Sequence, residues 1–163
     1  VNRAIARLRD PQKLFEEVCK VAVEDGKFVM ASIGVSDGQT GSLRVVASQR
    51  VKQEGRSDQN MSVEVESDEN ALATALMHEG YKVICNRIAE SDQPEHWRKE
   101  ALKHGFGSAA AFPLNVSDRV CGVMGVFSSE AGFFNDAVIS VFEELAGDLS
   151  RALEVFKKEE KAR

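Results

Sequence analysis

The stretch from Gly107 to Ser128 constrains the fold most: "GSAAAFPLNV" and "VCGVMGVFS" are two small, apolar runs separated only by Ser117-Asp118-Arg119. A connection that short joins antiparallel strands, since parallel neighbours need a crossover of a dozen residues or more. Alanine favours helix at Ala109 to Ala111, yet Gly105 and Gly107 precede the run and Pro113 interrupts its continuation, so context selects a strand. Ser108, Ala110, Phe112 and Leu114 then alternate with Gly107, Ala109, Ala111 and Pro113 across its two faces. Gly122 and Gly125 lie inside the second strand, where glycine permits close packing rather than cradling phosphate.

Strand and turn signals recur upstream. Phe28 to Val35 carries no helical stripe, "SDGQTG" has turn chemistry, and "SLRVVASQ" comes next, which predicts a hairpin. Arg50 to Asn60 reads as a loop, "MSVEVES" alternates Met61, Val63 and Val65 with polar residues as a half-exposed strand, and "YKVICN" is a short apolar one. Helices fall between and around these. Asp10-Pro11 supplies an N-cap and a first-turn proline ahead of Leu14, Phe15, Val18, Cys19 and Ala22 on one side. Ser67 or Asp68 caps a helix ending at Gly80, Pro94 and Gly105 bracket another, and Asn135 caps a long last helix with Phe134 and Ile139 as its staple. Strands joined by short turns, with helices sharing the sheet's faces, are α+β rather than alternating βαβ. "NRAIARLR" reads as a helical arm and "KKEEKAR" as a charged helical end, so both termini are expected to continue into a longer chain.

Composition narrows the class of function. The 163 residues, 43% hydrophobic, suffice for one domain, and the net charge of −5 lacks the cationic excess that nucleic-acid binding needs. No apolar run approaches the roughly 20 residues of a membrane span, and "VNRAIARLRD" lacks a signal peptide's apolar centre, so no membrane insertion and a cytoplasmic location are expected. Cys19, Cys85 and Cys121, odd in number and widely spaced, fit reduced thiols better than a disulfide framework.

"LFEEVCKVAVEDGKF", "MASIGVSDGQTGSLRVVAS", "ALMHEGYKVICN", "WRKEALKHGFGSAAAFPL" and "RVCGVMGVFSSEAGFFND" succeed one another in an order that resembles a GAF domain. The pieces cover nearly the whole chain and are most similar to GAF domains found beside PAS, diguanylate cyclase, cyclic-di-GMP phosphodiesterase or histidine kinase domains. The resemblance implies an arm over 1–10, a GAF domain over 11–156 and the start of a linker helix over 157–163. It also implies a six-stranded antiparallel sheet, the terminal helices on one face, and on the other short helices and loops, over 57–105, that roof a small-molecule cavity. A homodimer through the terminal helices, signalling to an output domain for cyclic-di-GMP turnover or a histidine kinase, is implied as well. Two departures fall at the roof. Close relatives carry Gly-Pro near the start of the second helix, where this chain has "SDENAL", and Asn-Asp where it has Asn86-Arg87.

Candidate lining residues are Ser32, Cys85, Arg87, Trp97, Arg98, Ser108 and Ala110, with Ala109 and Ala111 as the alternative set on the same strand. Cys85 reads first as a small buried hydrophobe and Trp97 as an anchor for its helix, while Arg87 and Arg98 either pair with an anionic ligand or, as exposed arginines usually do, with water. His78, His96 and His104 lack metal-ligand spacing, and no motif requires a cofactor. The cysteines of bilin attachment and of the methionine sulfoxide reductase branch are missing from "PEHWRKEALKHGFGS", and the Asn-Lys-Phe-Asp-Glu signature of cyclic-nucleotide GAF domains is absent.

On the last helix Val138, Val141, Leu145, Leu149 (one step off the repeat), Ala152 and Phe156 form a candidate dimer seam, with Phe142, Ala146 and Leu153 toward the sheet. A non-catalytic, small-molecule-binding regulatory domain is therefore expected. The alternatives are a ligand-free dimerisation spacer and, less favoured by the cysteine positions, a thiol-dependent methionine sulfoxide reductase.

Overall fold

The Asp10 carboxylate accepts the Gln12 N–H at 2.9 Å, and Pro11 takes the first helical position, where a missing N–H costs nothing. In the computed structural model, residues 10–36, 43–51 and 71–161 are described. The elements are α1 (Pro11–Glu24), β1 (Met30–Ser36), β2 (Leu43–Arg50), α2 (Ala71–Glu79), β3 (Val83–Cys85), a 3-10 turn (Ile88–Glu90), α3 (Glu95–Lys103), β4 (Ser108–Val116), β5 (Arg119–Ser128) and α4 (Asp136–Lys161). Most of the N-terminal arm, the "SDGQTG" turn and the strand expected at Met61–Ser67 lie outside the described residues.

The strands form one antiparallel sheet in the order β2-β1-β5-β4-β3. Five strands stand among the described residues against six expected, and the remaining run falls outside them. The β4–β5 connection is tighter than the three residues read from the sequence. Arg119 already pairs with Val116, leaving Ser117 and Asp118, both at positive φ (53° and 65°), as the turn. That mirror-image geometry matches the twist of paired strands. Arg50, expected in a loop, is the last residue of β2 and pairs with Met30.

Each face of the sheet holds its own core. Under α1 and α4 lie Phe15, Phe112, Met124, Leu149 and Leu153, all fully buried, and Phe15 meets Phe156 at 5.7 Å between ring centroids, joining the two helices. Gly122 brings α4 close, since a Cβ there would sit 2.8 Å from the Gly34 carbonyl and 3.1 Å from Leu153 Cδ2. On the other face Leu76 of α2, Ile88 of the 3-10 turn and Ala101 of α3 pack with Met30, Phe106 and Phe127. Each large side chain so enclosed contributes about 1.5–3 kcal/mol. The sheet is anchored from both sides.

At the sheet's β3 edge, β3 covers only Ala109 to Ala111 of β4. Beyond it Pro113 has no N–H, and the Asn115 N–H donates to Ser150 Oγ at 2.9 Å. The free edge thus offers little to an added strand.

Candidate functional site

Facing α2, the sheet carries its smallest side chains. Register sets Ser32 beside Gly125 and Gly125 beside Ala111, so three neighbouring strands contribute a hydroxymethyl, a hydrogen and a methyl to one row. A bulkier row, Met30, Phe127, Ala109 and Cys85, flanks it on one side, and Gly34 with Val123 on the other. The result is a trough closed by Leu72 and Ala73 of α2. Its free volume is about 30 Å³, room for a water or two and far below a metabolite pocket. Gly125 does not serve the close packing expected of it. A Cβ there would stand 3.6 Å from Ser32 Oγ and 3.9 Å from Phe127, ordinary contact distances, so the glycine widens the trough.

Register also decides the alternation of β4. Ala109 and Ala111 belong to the roof-side core, whereas Ala110 belongs with Phe112 and Leu114 to the core under α1 and α4. Ala110 borders the trough, but Ala111 is the residue whose methyl its face presents. Ser108 is a clearer correction. Fully buried, it donates its hydroxyl to the Glu130 carbonyl at 2.6 Å and ties β4 to the segment after β5 instead of lining a cavity.

Of the other candidates, Ser32 stands in the trough wall and Cys85 ends the flanking row. Burial pushes the Cys85 thiol up, partly offset by hydrogen bonds from the Ser91 hydroxyl and the Arg87 backbone. Arg87 itself is exposed, and Trp97 is half-buried against the roof-side core. Arg98, next to it on α3, has its Nε enclosed with no hydrogen-bond partner. Arg50 extends the flanking row through Met30, and its Nη2 is enclosed and unpartnered too. Buried cationic donors left this way are sites for water or an anion.

The thiols do not converge. Cys19 lies in the core under α1 and α4, its pKa pushed up to about 12 by burial and by the Glu16 carboxylate. Cys121 packs against that same core, so the sheet separates both from Cys85. Among the described residues no group of three His, Cys, Asp or Glu is placed to hold a metal ion.

On α4, Leu149 is fully buried and belongs with Phe142, Ala146 and Leu153 in the sheet-facing stripe, not on the outer seam expected of it. Val141, 62% exposed, does face outward, while Val138, Leu145, Ala152 and Phe156 are half-buried at its flanks. The outward line runs through the exposed Val141, Asp148 and Val155 with the half-buried Leu145 and Ala152 between them, alternating steps of four and three, and Arg151 is hydrogen-bonded to Asp148. A wider groove of about 340 Å³ lies at the sheet edge between β4 and α4, spanned by a Lys82–Glu143 ion pair at 3.1 Å.

A family model described as GAF domain matches residues 9–154. The chain belongs to the GAF domain family. Solved structures agree in fold. A GAF domain from a phosphoenolpyruvate-protein phosphotransferase of Coxiella burnetii aligns with TM-score 0.79 at 11% identity, over 98% of this chain and 92% of that one. A free methionine-R-sulfoxide reductase from Neisseria meningitidis, solved with its substrate, aligns at TM-score 0.74 and 15% identity, over 96% and 85%. A domain described as part of a two-component sensor histidine kinase protein from Sinorhizobium meliloti 1021 aligns at 0.70 and 17%, over 93% and 96%. No curated protein matches the chain. The fold is thus shared by a reductase and by a domain of a histidine kinase protein. Among the described residues, no helix of this one is long and apolar enough to cross a membrane.

Proposed function

We propose that this GAF domain is a non-catalytic sensor that admits a small anionic molecule between α2 and the sheet and passes its presence through α4 to an output domain. The observation that carries the reading is the Ser32–Gly125–Ala111 row. Small side chains on a covered face either leave volume for a ligand or let the roof helix sit close, and the reading takes the first. With α2 seated, only about 30 Å³ is free, so a ligand enters by displacing this nine-residue helix. Arg50 and Arg98, each with an enclosed, unpartnered nitrogen, favour a carboxylate- or phosphate-bearing ligand. A parallel homodimer through the outward line of α4, in a cytoplasmic protein whose output is cyclic-di-GMP turnover or a histidine kinase, completes the reading. Of the candidate lining residues, Ser32 and Ala110 border the trough, while Cys85, Trp97 and Arg98 enter the reading from outside its lining. Cys85 stands across the sheet from Cys19 and Cys121, which disfavours a two-thiol reductase at the trough.

Native mass spectrometry of freshly purified protein, followed by thermal shift against small mono- and dicarboxylates and inorganic phosphate, tests the proposal. Retention of, or stabilisation by, an anion that Arg98→Met weakens is expected. Apo protein and no shift across the panel would favour the ligand-free spacer, a reading the small free volume itself supports.

A further inference from the structure

Asn86 stands where the roof-side elements meet the start of α4. It comes directly after Cys85, the last residue of β3, and precedes Ile88, which is fully buried in the roof-side core. Its side-chain amide lies across the backbone of Phe134: Nδ2 donates to the Phe134 carbonyl at 2.9 Å, and Oδ1 accepts the Phe134 N–H at 2.9 Å. Its own carbonyl accepts the Gly132 N–H at 2.6 Å. Three hydrogen bonds from one residue thus hold the segment between β5 and α4, and the next residue, Asn135, caps α4 by accepting the Val138 N–H at 2.9 Å. Ser108 reinforces the junction through its bond to Glu130, and Gly107 lies so close that a Cβ would sit 2.6 Å from the Ser129 carbonyl.

We infer that Asn86 is a latch that carries a change in the trough around the edge of the sheet to the start of α4. Cys85 ends the row that flanks the trough, so a shift of that row reaches Asn86 along a single peptide bond. The sheet isolates the two cores from each other, and a rigid two-point clamp on the Phe134 backbone bypasses it. A side chain with one hydrogen bond would let the segment pivot; the paired donor and acceptor fix its orientation. Asn86 is here a positioning residue. Its role rests on the sensor reading only for what moves the row.

The latch is tested without a ligand. Gly125→Val fills the trough from beneath α2, and amide hydrogen exchange in the first two turns of α4 is the readout. With Asn86 intact, the substitution is expected to change exchange there by about fivefold or more, and in an Asn86→Ala background the change should largely vanish, a non-additivity that a merely structural role does not produce. Asn86→Asp, which keeps the acceptor for the Phe134 N–H and loses the donor, should transmit in part and serves if the alanine variant does not fold. An equal effect of Gly125→Val with and without the Asn86 amide, or none on α4 with the amide intact, would overturn the latch. Native mass spectrometry on wild type and Asn86→Ala separates the outcomes, because loss of the latch leaves any retained anion in place whereas failure of the sensor reading leaves none in either.

Discussion

Gly122 and Gly125 sit three residues apart in one strand and do opposite things. At Gly122 an added methyl meets the Gly34 carbonyl at 2.8 Å, a fixed backbone atom. At Gly125 it meets only side-chain atoms at ordinary contact. Gly125→Ala should therefore stabilise by about 0.5–1 kcal/mol through reduced backbone freedom in the unfolded chain, while Gly122→Ala should destabilise by about 1–3 kcal/mol through overpacking. Denaturant midpoints with unchanged slopes would establish both signs. Cys19 makes a second prediction, in pH. Its thiol titrates near 12 in the fold against an ordinary 9.0, so the folded state keeps a proton that the unfolded chain has lost in between. That contribution is whole below about pH 9 and declines as pH rises toward 12, by up to about 1.4 kcal/mol per pH unit. Cys19→Ala lacks the slope, so the stability gap between wild type and variant should narrow as the pH is raised through that window.

Among the elements, α4 is the one whose two faces can be separated by mutation. Leu149→Ala removes a fully buried side chain and should cost about 2–5 kcal/mol with no specific effect on association. Val141→Glu, on the outward line, should leave stability within about 0.5 kcal/mol and abolish the proposed dimer in light scattering. A dimer that survives Val141→Glu would move the interface elsewhere. The legibility of this helix in the sequence is uneven for a physical reason. Asn135 and the sheet-facing Phe142, Ala146 and Leu153 follow from local chemistry and period, and they stand as expected. Leu149 falls on the other side from the one expected because both stripes are apolar, and a period locates stripes relative to one another without saying which one the sheet covers.

For the whole molecule, the two cores differ in how they are closed. The one under α1 and α4 is sealed by a 14-residue and a 26-residue helix that contact each other through Phe15 and Phe156. The other is closed over the trough by the nine residues of α2, which end at Gly80 (φ 84°) with nothing within 4 Å of where its Cβ would be. Amides of α2 should thus exchange by local opening well below the global free energy, while those of β5 and the middle of α4 exchange only on global unfolding. Equal protection in both would mean that the trough does not open.

Residue types and their order along the chain determined the elements and their antiparallel connections, while the division of helices between the sheet's faces was implied by the family resemblance alone. Caps, turn residues and periodicity act over a few neighbours, and those neighbours are adjacent in the sequence. Tertiary structure alone decided the trough. Ser32, Gly125 and Ala111 bear no shared motif and lie far apart in the chain; they become one row only when three strands settle into register. The same holds for Asn86, whose two partners are the N–H and carbonyl of one residue 48 positions away. Long-range pairing is a property of the assembled sheet, and the space it encloses is written in no single segment.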